Sequence, residues 1–258
     1  MIEIYDTQER LEYWRDFWTE INEDADELSS DKIYPLYPTH KYIEPKMSIL
    51  EAGVGMGRVM KHYGKLGYDI IGMDYEEECI KRLGSQHPDF KLYVGDVNQL
   101  TEPDCTYDAI LAFGTLSNLQ NPVKPLSEFY RVLKPGGIVV ASITNDNLAR
   151  RLQVLLQHLK GGKRFFSMMA YTRKEWGKLL KESGFEVLEL APIVTRLPLY
   201  TYFPFLRARN SGPLNWKSAR DGDKGLELNS LGEFIFNTAF RFIPFSISHG
   251  VVGVVRKT

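Results

Sequence analysis

Short apolar runs of strand length alternate with segments of helical character from Met47 onward, and this alternation constrains the fold more than any other feature. A strand that is buried on both faces of a parallel sheet is apolar at consecutive positions, because its side chains point alternately into two covered faces. Five runs have this character: Ser48–Leu50, Asp69–Met73, Phe90–Val94, Tyr107–Ala112 and Gly137–Ser142. We therefore predict an α/β fold in which a parallel sheet is covered by helices on both faces.

The segments around this core differ in character. Apolar residues recur at three- and four-residue spacing between Leu11 and Ile21, which predicts an N-terminal helix. Residues 192–244 are rich in aromatic residues and prolines, and the apolar residues 251–255 predict a last strand. At 258 residues the chain is long for one domain and short for two that each bury a full core. We therefore predict a single domain with room for an insertion.

Composition and charge exclude several classes of protein. Lys and Arg total 32 against 33 Asp and Glu, so the net charge is −1 and the chain as a whole offers no cationic field for gripping nucleic acid. Cys79 and Cys105 are too few for a disulfide framework or a four-thiolate zinc site, which indicates reduced thiols. No stretch approaches the roughly 20 apolar residues of a spanning helix, and the charged N-terminal residues do not have the pattern of a signal peptide. We expect a soluble, cytoplasmic protein with no nucleic-acid partner and no membrane span.

A glycine-rich turn runs from Glu51 to Arg58, after the first predicted strand and at the start of a helix. Gly53, Gly55 and Gly57 permit a tight turn and let a ligand approach the backbone. Dinucleotide-binding proteins use a similar turn, where a pyrophosphate lies on the helix N-terminus. Here Glu51 would repel that pyrophosphate in a partly desolvated crevice, and the spacing is G-x-G-x-G rather than G-x-G-x-x-G. Both features disfavour a dinucleotide.

Two further carboxylates follow the next predicted strands. Asp74 ends the second strand, about twenty residues beyond the glycines, and Asp96 follows the third strand. An acid at the position of Asp74 can accept hydrogen bonds from both hydroxyls of a ribose. Ligands of open α/β sheets bind at the carboxyl ends of the strands. With Glu51, these acids stand at three adjacent strand ends, which indicates a site for a cationic nucleoside. S-adenosylmethionine fits this description, since it carries a sulfonium, an ammonium, a ribose and an adenine but no phosphate.

Five motifs occur in order with fitting separations, and together they carry a family resemblance over about residues 48–143. The motifs are Ile49–Arg58, Gly72–Tyr75, Gly95–Val97, Tyr107–Ile110 and Arg131–Gly137. In these motifs the chain resembles the class I S-adenosylmethionine-dependent methyltransferases, and among them the small-molecule enzymes related to quinone biosynthesis. The resemblance implies a doubly wound, Rossmann-like sheet of seven strands that is mostly parallel, with an antiparallel last strand.

The same resemblance divides the single domain into four parts. Residues 1–46 are expected to form an N-terminal helical lid over the cleft, and residues 47–190 the core sheet. An aromatic and helical insertion is expected at 191–245, before a last strand at 246–258.

The resemblance also implies which residues hold S-adenosylmethionine. Glu51 is expected beside the methionine end, Asp74 at the ribose hydroxyls and Tyr75 along the adenine, whose amino group and ring would meet Asp96 and Val97. The backbone of the glycine turn would line the amino acid portion. The full expected set is Glu51, Gly53, Gly55, Gly57, Arg58, Asp74, Tyr75, Asp96, Val97, Phe113 and Gly114.

The implied reaction is methyl transfer to a small-molecule acceptor by direct displacement, and the sequence leaves the accepting atom open among O, N, C and S. Some acceptors also need a general base. Tyr34, Tyr37 and His40 precede the first predicted strand and are the candidates for this role. Aromatic residues of the N-terminal helix are further candidates for contact with the acceptor: Tyr13, Trp14 and Trp18.

No metal site is predicted, because the five histidines do not have ligand spacing. His62 and His87 fall on predicted outer helices and are expected to be solvated.

Two other functions remain open at this stage. The first is an NAD-dependent oxidoreductase, which Glu51 and the glycine spacing disfavour. The second is a non-catalytic S-adenosylmethionine-binding protein, in which the aromatic stretch Leu199–Leu206 serves protein association. The oligomeric state is open as well, and a homo-oligomer is compatible with the sequence.

Overall fold

The structure is a computed structural model that describes residues 39–148, 150–151, 155, 169–193, 203–209 and 227–258. The strands in these ranges are β1 (Ser48–Ala52), β2 (Asp69–Asp74), β3 (Lys91–Val94), β4 (Tyr107–Ala112), β5 (Leu133–Asn145), β6 (Ala170–Tyr171), β7 (Phe185–Ile193) and β8 (Gly250–Lys257). The α-helices are α1 (Arg58–Lys65), α2 (Glu77–Gln86), α3 (Val123–Val132), α4 (Arg173–Glu182), α5 (Ser230–Phe242) and α6 (Pro244–Ile247). Two short 3₁₀ helices lie at Leu116–Asn118 and Pro204–Leu206.

All described strands belong to one mixed sheet, in the order β3-β2-β1-β4-β5-β8-β7. β8 is antiparallel to both of its neighbours, and the other pairs are parallel. The predicted Rossmann-like sheet with an antiparallel last strand is therefore confirmed. An eighth strand, the two-residue β6, was not predicted, and it pairs with Thr144 and Asn145 at the end of β5.

Two apolar layers, one on each face of the sheet, form the core. Ile49 and Leu50 are neighbours in β1 and are both fully buried, but they belong to opposite layers. The layer around Leu50 includes Phe129 of α3 and Trp176 of α4, and the layer around Ile49 includes Tyr63 of α1. This arrangement explains the continuous apolar runs of the sequence, because every position of a central strand is covered.

Two local sequence signals can be compared directly with the structure. Thr172 and Glu175 have the three-residue spacing that predicts a capping box, and the structure confirms it at the start of α4: Thr172 Oγ1 accepts from Glu175 N (3.3 Å) and Thr172 N donates to the Glu175 carboxylate (2.8 Å). The residues Pro135–Gly137 have a composition that predicts a tight turn before the next strand. The structure instead includes them in β5, where the pairing with β4 is irregular and Gly136 has a φ of +78°.

The structure describes part of the predicted insertion. β7 continues to Ile193, past the expected end of the core at residue 190. Within the insertion, Arg207 and Leu228 form an antiparallel bridge, and Asn229 caps α5 by accepting from Gly232 N at 3.0 Å. The rings of Phe203 and Phe205 are exposed and meet edge to face, with centroids 6.0 Å apart.

The predicted N-terminal helix lies outside the described residues, and so do its candidates Tyr13, Trp14 and Trp18 and the general-base candidates Tyr34 and Tyr37. Among the helices that are described, none combines the length and the hydropathy needed to cross a membrane.

Candidate active site

The glycine-rich turn between β1 and α1 is tied to two neighbouring strands. The amides of Gly53 and Val54 both donate to the carbonyl of Met73 in β2, at 2.9 and 2.8 Å. The hydroxyl of Thr115, which follows β4, donates to Ala52 O at 2.8 Å and occupies the place that a Cβ on Gly53 would take. Gly53 also has a φ of +85°, so this position requires glycine for both space and conformation.

Asp74 joins the end of β2 to the same turn. Its Oδ2 atom accepts from Gly55 N at 2.9 Å, and its Oδ1 atom accepts from Glu76 N at 3.1 Å. Burial raises the pKa of Asp74, and the hydrogen bonds from the backbone of Glu76, Gly55 and Tyr75 oppose that rise. A carboxylate has about four lone-pair sites, so Asp74 keeps room for further donors, such as the two hydroxyls of a ribose.

Glu51, the penultimate residue of β1, is a buried carboxylate with only 4% of its surface exposed. It lies between Gly72 of β2 and Leu111 of β4 in the register of the sheet. Its negative charge helps to raise the pKa of Tyr63, after burial and the neighbouring Tyr68. A buried carboxylate at this strand end is suited to a cationic ligand and unfavourable for a phosphate.

The end of β3 supplies a polar and an apolar residue side by side. Asp96 is exposed, and its Oδ1 atom accepts from both the backbone and the side chain of Asn98 at 2.8 Å. Val97 is buried, whereas Tyr75, which follows β2, is 58% exposed. Asp74 and Val94 are paired in the sheet, so Tyr75 and Gly95 follow paired positions on adjacent strands.

The end of β4 borders open space. Gly114 has a φ of +78°, and a Cβ added there would meet no atom within 4 Å. Its amide donates to Ser142 Oγ of β5 at 2.8 Å, and its carbonyl accepts from Asn118 Nδ2 at 2.9 Å. Phe113, just before it, is half-buried.

The predicted cofactor residues therefore meet at the carboxyl edge of four adjacent parallel strands, β3, β2, β1 and β4. Gly57 is the N-cap of α1, and Arg58 is the half-buried first residue of that helix. Buried and half-buried acids, an exposed aromatic ring and the space beside Gly114 suit the chemistry of a cationic nucleoside such as S-adenosylmethionine.

Three histidines lie on outer elements rather than at this edge. His40 is exposed and packs against His62 and Tyr63 of α1, with ring centroids 5.8 and 5.6 Å apart. His62 was expected to be solvated, but it is half-buried within this group. His87 was also expected to be solvated, and it is half-buried with its ring stacked on Phe90 at 4.6 Å. In both cases an aromatic neighbour, which helical position alone does not reveal, covers the ring.

Sequence reasoning missed a group of polar residues at the β5–β8 edge. Asn145 ends β5, and His249 immediately precedes β8. The prediction that the last strand is antiparallel could have indicated this group. The start of an antiparallel strand lies at the carboxyl edge of the sheet's parallel strands, so residues just before the last strand are expected there. Among all the residues that the structure describes, no group of three or more His, Cys, Asp or Glu side chains could hold a metal ion.

A protein-family model described as a methyltransferase domain matches residues 21–190, which is more than half of the chain. The chain belongs to this methyltransferase family. The resemblance to class I S-adenosylmethionine-dependent methyltransferases is thereby confirmed, and S-adenosylmethionine is the cofactor.

Curated relatives of this methyltransferase cover the core. A probable S-adenosylmethionine-dependent methyltransferase of Mycolicibacterium smegmatis is 30% identical over 97 residues, 38% of this chain and 38% of the relative. A demethylmenaquinone methyltransferase of Renibacterium salmoninarum is 31% identical over 117 residues, 45% and 49% of the two chains. An eEF1A lysine and N-terminal methyltransferase of Mus musculus is 31% identical over 140 residues, 49% and 20% of the two chains. The methyltransferase chain thus spans less than half the length of each of these relatives.

A solved structure extends the likeness of fold beyond the core. The crystal structure of an S-adenosylmethionine-dependent methyltransferase from Methanosarcina mazei aligns with a TM-score of 0.59 at 18% identity, and the alignment covers 87% of this chain and 98% of that one.

Proposed function

We propose that this methyltransferase transfers a methyl group from S-adenosylmethionine to a small-molecule acceptor by direct displacement. The observation that carries the proposal is the set of carboxylates Glu51, Asp74 and Asp96 on adjacent strand ends, of which Asp74 is also hydrogen-bonded to the glycine turn. Bound S-adenosylmethionine supplies an electrophilic methyl group on a sulfonium leaving group.

The residues of the chain orient the reactants and exclude water. Asp74 accepts hydrogen bonds from the ribose hydroxyls while it holds the turn through Gly55. Glu51 attracts the positively charged methionine end, and Tyr75 and Val97 enclose the adenine, whose amino group meets Asp96. Alignment of the acceptor and the methyl group in a closed cleft can contribute up to about 7–11 kcal/mol to the lowering of the barrier.

A small acceptor is supported by the charge of the chain and by its relatives. The net charge of −1 gives no overall field for a nucleic acid, and one relative is named for demethylmenaquinone, a small molecule. A protein acceptor is the second candidate, because another relative is named for lysine and N-terminal methylation of eEF1A. Neither cysteine forms a disulfide, since Cys79 is buried beside Met56 and Cys105 is exposed, which supports our placement of the reaction in the reducing cytoplasm.

Binding and transfer can be tested separately on the purified full chain. Calorimetric titration should show binding of S-adenosylmethionine and of S-adenosylhomocysteine but not of NAD; tight NAD binding without S-adenosylmethionine binding would support an oxidoreductase instead. Labelled methyl from S-adenosylmethionine should then appear on a small acceptor, for which 1,4-dihydroxynaphthalene, a malonyl thioester and 3,4-dihydroxybenzoate are suitable probes. Label on a lysine peptide alone would favour the protein acceptor, and cofactor binding with no transfer to any probe would favour a non-catalytic binding protein.

A further inference from the structure

The motif Arg131–Gly137 contributes to the family resemblance, yet its residues do not belong to the expected cofactor set. Its first residue, Arg131, lies in the last turn of α3. The guanidinium donates to Glu102 O at 2.7 Å and to Leu100 O at 2.9 Å. Both carbonyls belong to residues 95–106, the segment that connects β3 with β4. Arg131 therefore holds this connection against α3.

Glu128, three residues earlier on the same helix, binds both Arg131 and the connection. Its carboxylate accepts from Arg131 Nε at 3.1 Å and from Arg131 Nη2 at 2.8 Å. The Oε2 atom of Glu128 also accepts from Leu100 N at 2.8 Å, so the Glu128–Arg131 pair binds both the amide and the carbonyl of Leu100. The side chains of Arg131 and Glu128 are 31% and 20% exposed. A bidentate, largely covered pair of this kind fixes geometry better than an exposed ion pair.

The connection is attached to α3 at its far end as well. Cys105 N donates to Arg131 O at 3.1 Å. Thr106 N donates to Val132 O at 2.7 Å, directly before β4 begins. Leu100 is buried in the apolar layer to which α3 contributes. The path of the chain from Leu100 to β4 is thus determined by α3.

The turn that carries Asp96 and Val97 lies between the end of β3 and Leu100. Asp96 O accepts from Gln99 N at 2.9 Å, and Asp96 Oδ1 accepts from the amide and the side chain of Asn98, each at 2.8 Å. The turn closes at Gln99, one residue before Leu100. Because strand pairing fixes its start and the Glu128–Arg131 pair fixes the residue after it, the turn has one position relative to the sheet.

We propose that Arg131 is a positioning residue for the adenine: through Leu100 it keeps Asp96 and Val97 in the place where they meet the ring. The inference rests on the proposed function, which puts the adenine at these two residues, and it gives the motif that begins at Arg131 a role in cofactor binding. Arg131 acts through the backbone of the connection. A turn that is fixed before the cofactor arrives does not have to be ordered on binding, so affinity is retained.

Two ligands that differ at the adenine amino group separate a role at the adenine from a general effect on the fold. S-inosylhomocysteine has an oxygen in place of the amino group of S-adenosylhomocysteine and keeps its ribose and amino acid portions. We expect calorimetric titration of the full chain to show that Arg131→Gln raises the Kd of S-adenosylhomocysteine by about fivefold or more, and that of S-inosylhomocysteine by much less. Arg256→Gln breaks an exposed ion pair with Glu186 and should change neither Kd. Equal weakening of the two ligands by Arg131→Gln, or no weakening of S-adenosylhomocysteine, would overturn the inference.

A double-mutant cycle with Asp96 tests whether the two residues act on the same part of the ligand. Asp96→Ala should weaken S-adenosylhomocysteine, and Arg131→Gln should add less to that loss than it causes in the wild type. Full additivity would contradict the positioning role. An unchanged Kd in Asp96→Ala would show that the adenine lies elsewhere and would refute the placement in the proposed function. A loss in Asp96→Ala with none in Arg131→Gln would refute the positioning role alone, so the two failures are distinguishable.

Hydrogen exchange measures whether Arg131 acts locally. In Arg131→Gln, the amides of residues 96–102 should exchange about tenfold faster or more than in the wild type, and those of β1 and β2 should be unchanged. If Arg131→Gln does not fold, Glu128→Gln replaces it in all three experiments, since it keeps the size of the side chain and removes the charge that binds Arg131. Exchange that rises equally throughout the sheet would indicate general destabilisation and would overturn the inference.

Discussion

The carboxylate of Asp74, at the end of β2, accepts a hydrogen bond of 2.9 Å from the amide of Gly55, in the turn that follows β1. The residue expected to hold the ribose thus also fixes the loop expected to line the methionine portion. Since one side chain serves two parts of the cleft, cofactor binding and loop conformation are coupled through it.

Replacement of Asp74 tests this coupling. Asp74→Ala should raise the Kd of S-adenosylmethionine by more than about tenfold, because hydrogen bonds to a charged acceptor are each worth about 1.5–3 kcal/mol. Calorimetric titration measures the change. Asp69→Ala is the matched control, since Asp69 starts the same strand and forms an exposed ion pair with Lys91 at 2.7 Å. An unchanged Kd in Asp74→Ala would show that the adenosine lies elsewhere.

Two glycines with similar backbone angles allow the steric requirement at the turn to be isolated. Gly53 has a φ of +85° and faces Thr115, whereas Gly67 has a φ of +80° and nothing within 4 Å of an added Cβ. In both alanine variants the positive φ should lower the free energy of unfolding by about 1–2 kcal/mol. Gly53→Ala should lower it further, because the added Cβ collides with Thr115. Denaturant unfolding measures both. The addition of Thr115→Ala should restore part of the loss in Gly53→Ala; equal losses in the two single variants would argue against the collision.

The hydrogen bonds that Asn145 and Asn147 donate to the segment before β8 should contribute measurably to stability. Asn145→Ala removes the bonds to Ser248 Oγ and Phe245 O. The buried Ser248 Oγ is then left without this donor, whereas Phe245 O still accepts from Asn147 Nδ2 at 3.1 Å and from Ser248 Oγ at 3.2 Å. We expect a loss of about 1–3 kcal/mol in unfolding free energy, as is usual for buried polar groups that lose a partner. Asn147→Ala, at a half-buried position, should cost less. Urea titration would contradict this if the two variants were equally stable or if Asn145→Ala matched the wild type.

The pH dependence of stability should reflect His249. Its folded-state pKa of about 4 lies below the usual 6.5, so the unfolded chain takes up the proton first as the pH falls. The stability contributed by the neutral ring is therefore present above pH 6.5 and is lost between about pH 6.5 and 4. His249→Gln lacks this loss, so the Tm of the wild type should fall relative to that of the variant over this range. Parallel Tm curves would contradict the prediction.

The sheet and the family could be predicted because their signals are local. A central strand is apolar at consecutive positions, as in Ile49 and Leu50, and the acids at 51, 74 and 96 follow such strands directly. Their meeting at one edge follows from parallel topology alone. Sequence reasoning therefore predicted that these acids lie at one edge of the sheet, and their role in cofactor binding stays a proposal.

The group of polar residues at the start of β8 was not predictable in the same way, because its residues are distant in sequence. Asn145 and Ser248 are joined by a hydrogen bond between buried side chains, and no local pattern marks either residue. His62 and His87 were misjudged for a related reason, since helical position alone does not show that an aromatic ring covers each of them. Lys134–Gly137 has the composition of a turn, yet the pairing of its flanking residues with β4 draws it into β5.

The place of β8 in the sheet has a consequence for biosynthesis. Among the described strands, β7 pairs with β8 alone, and β8 is inserted between it and β5. Until β8 has emerged from the ribosome, β7 thus has no described strand through which it can pair with the half of the sheet that contains the predicted cofactor residues. The half of the sheet formed by β1 to β5 can assemble early, but β8 can join it only after translation has passed Lys257.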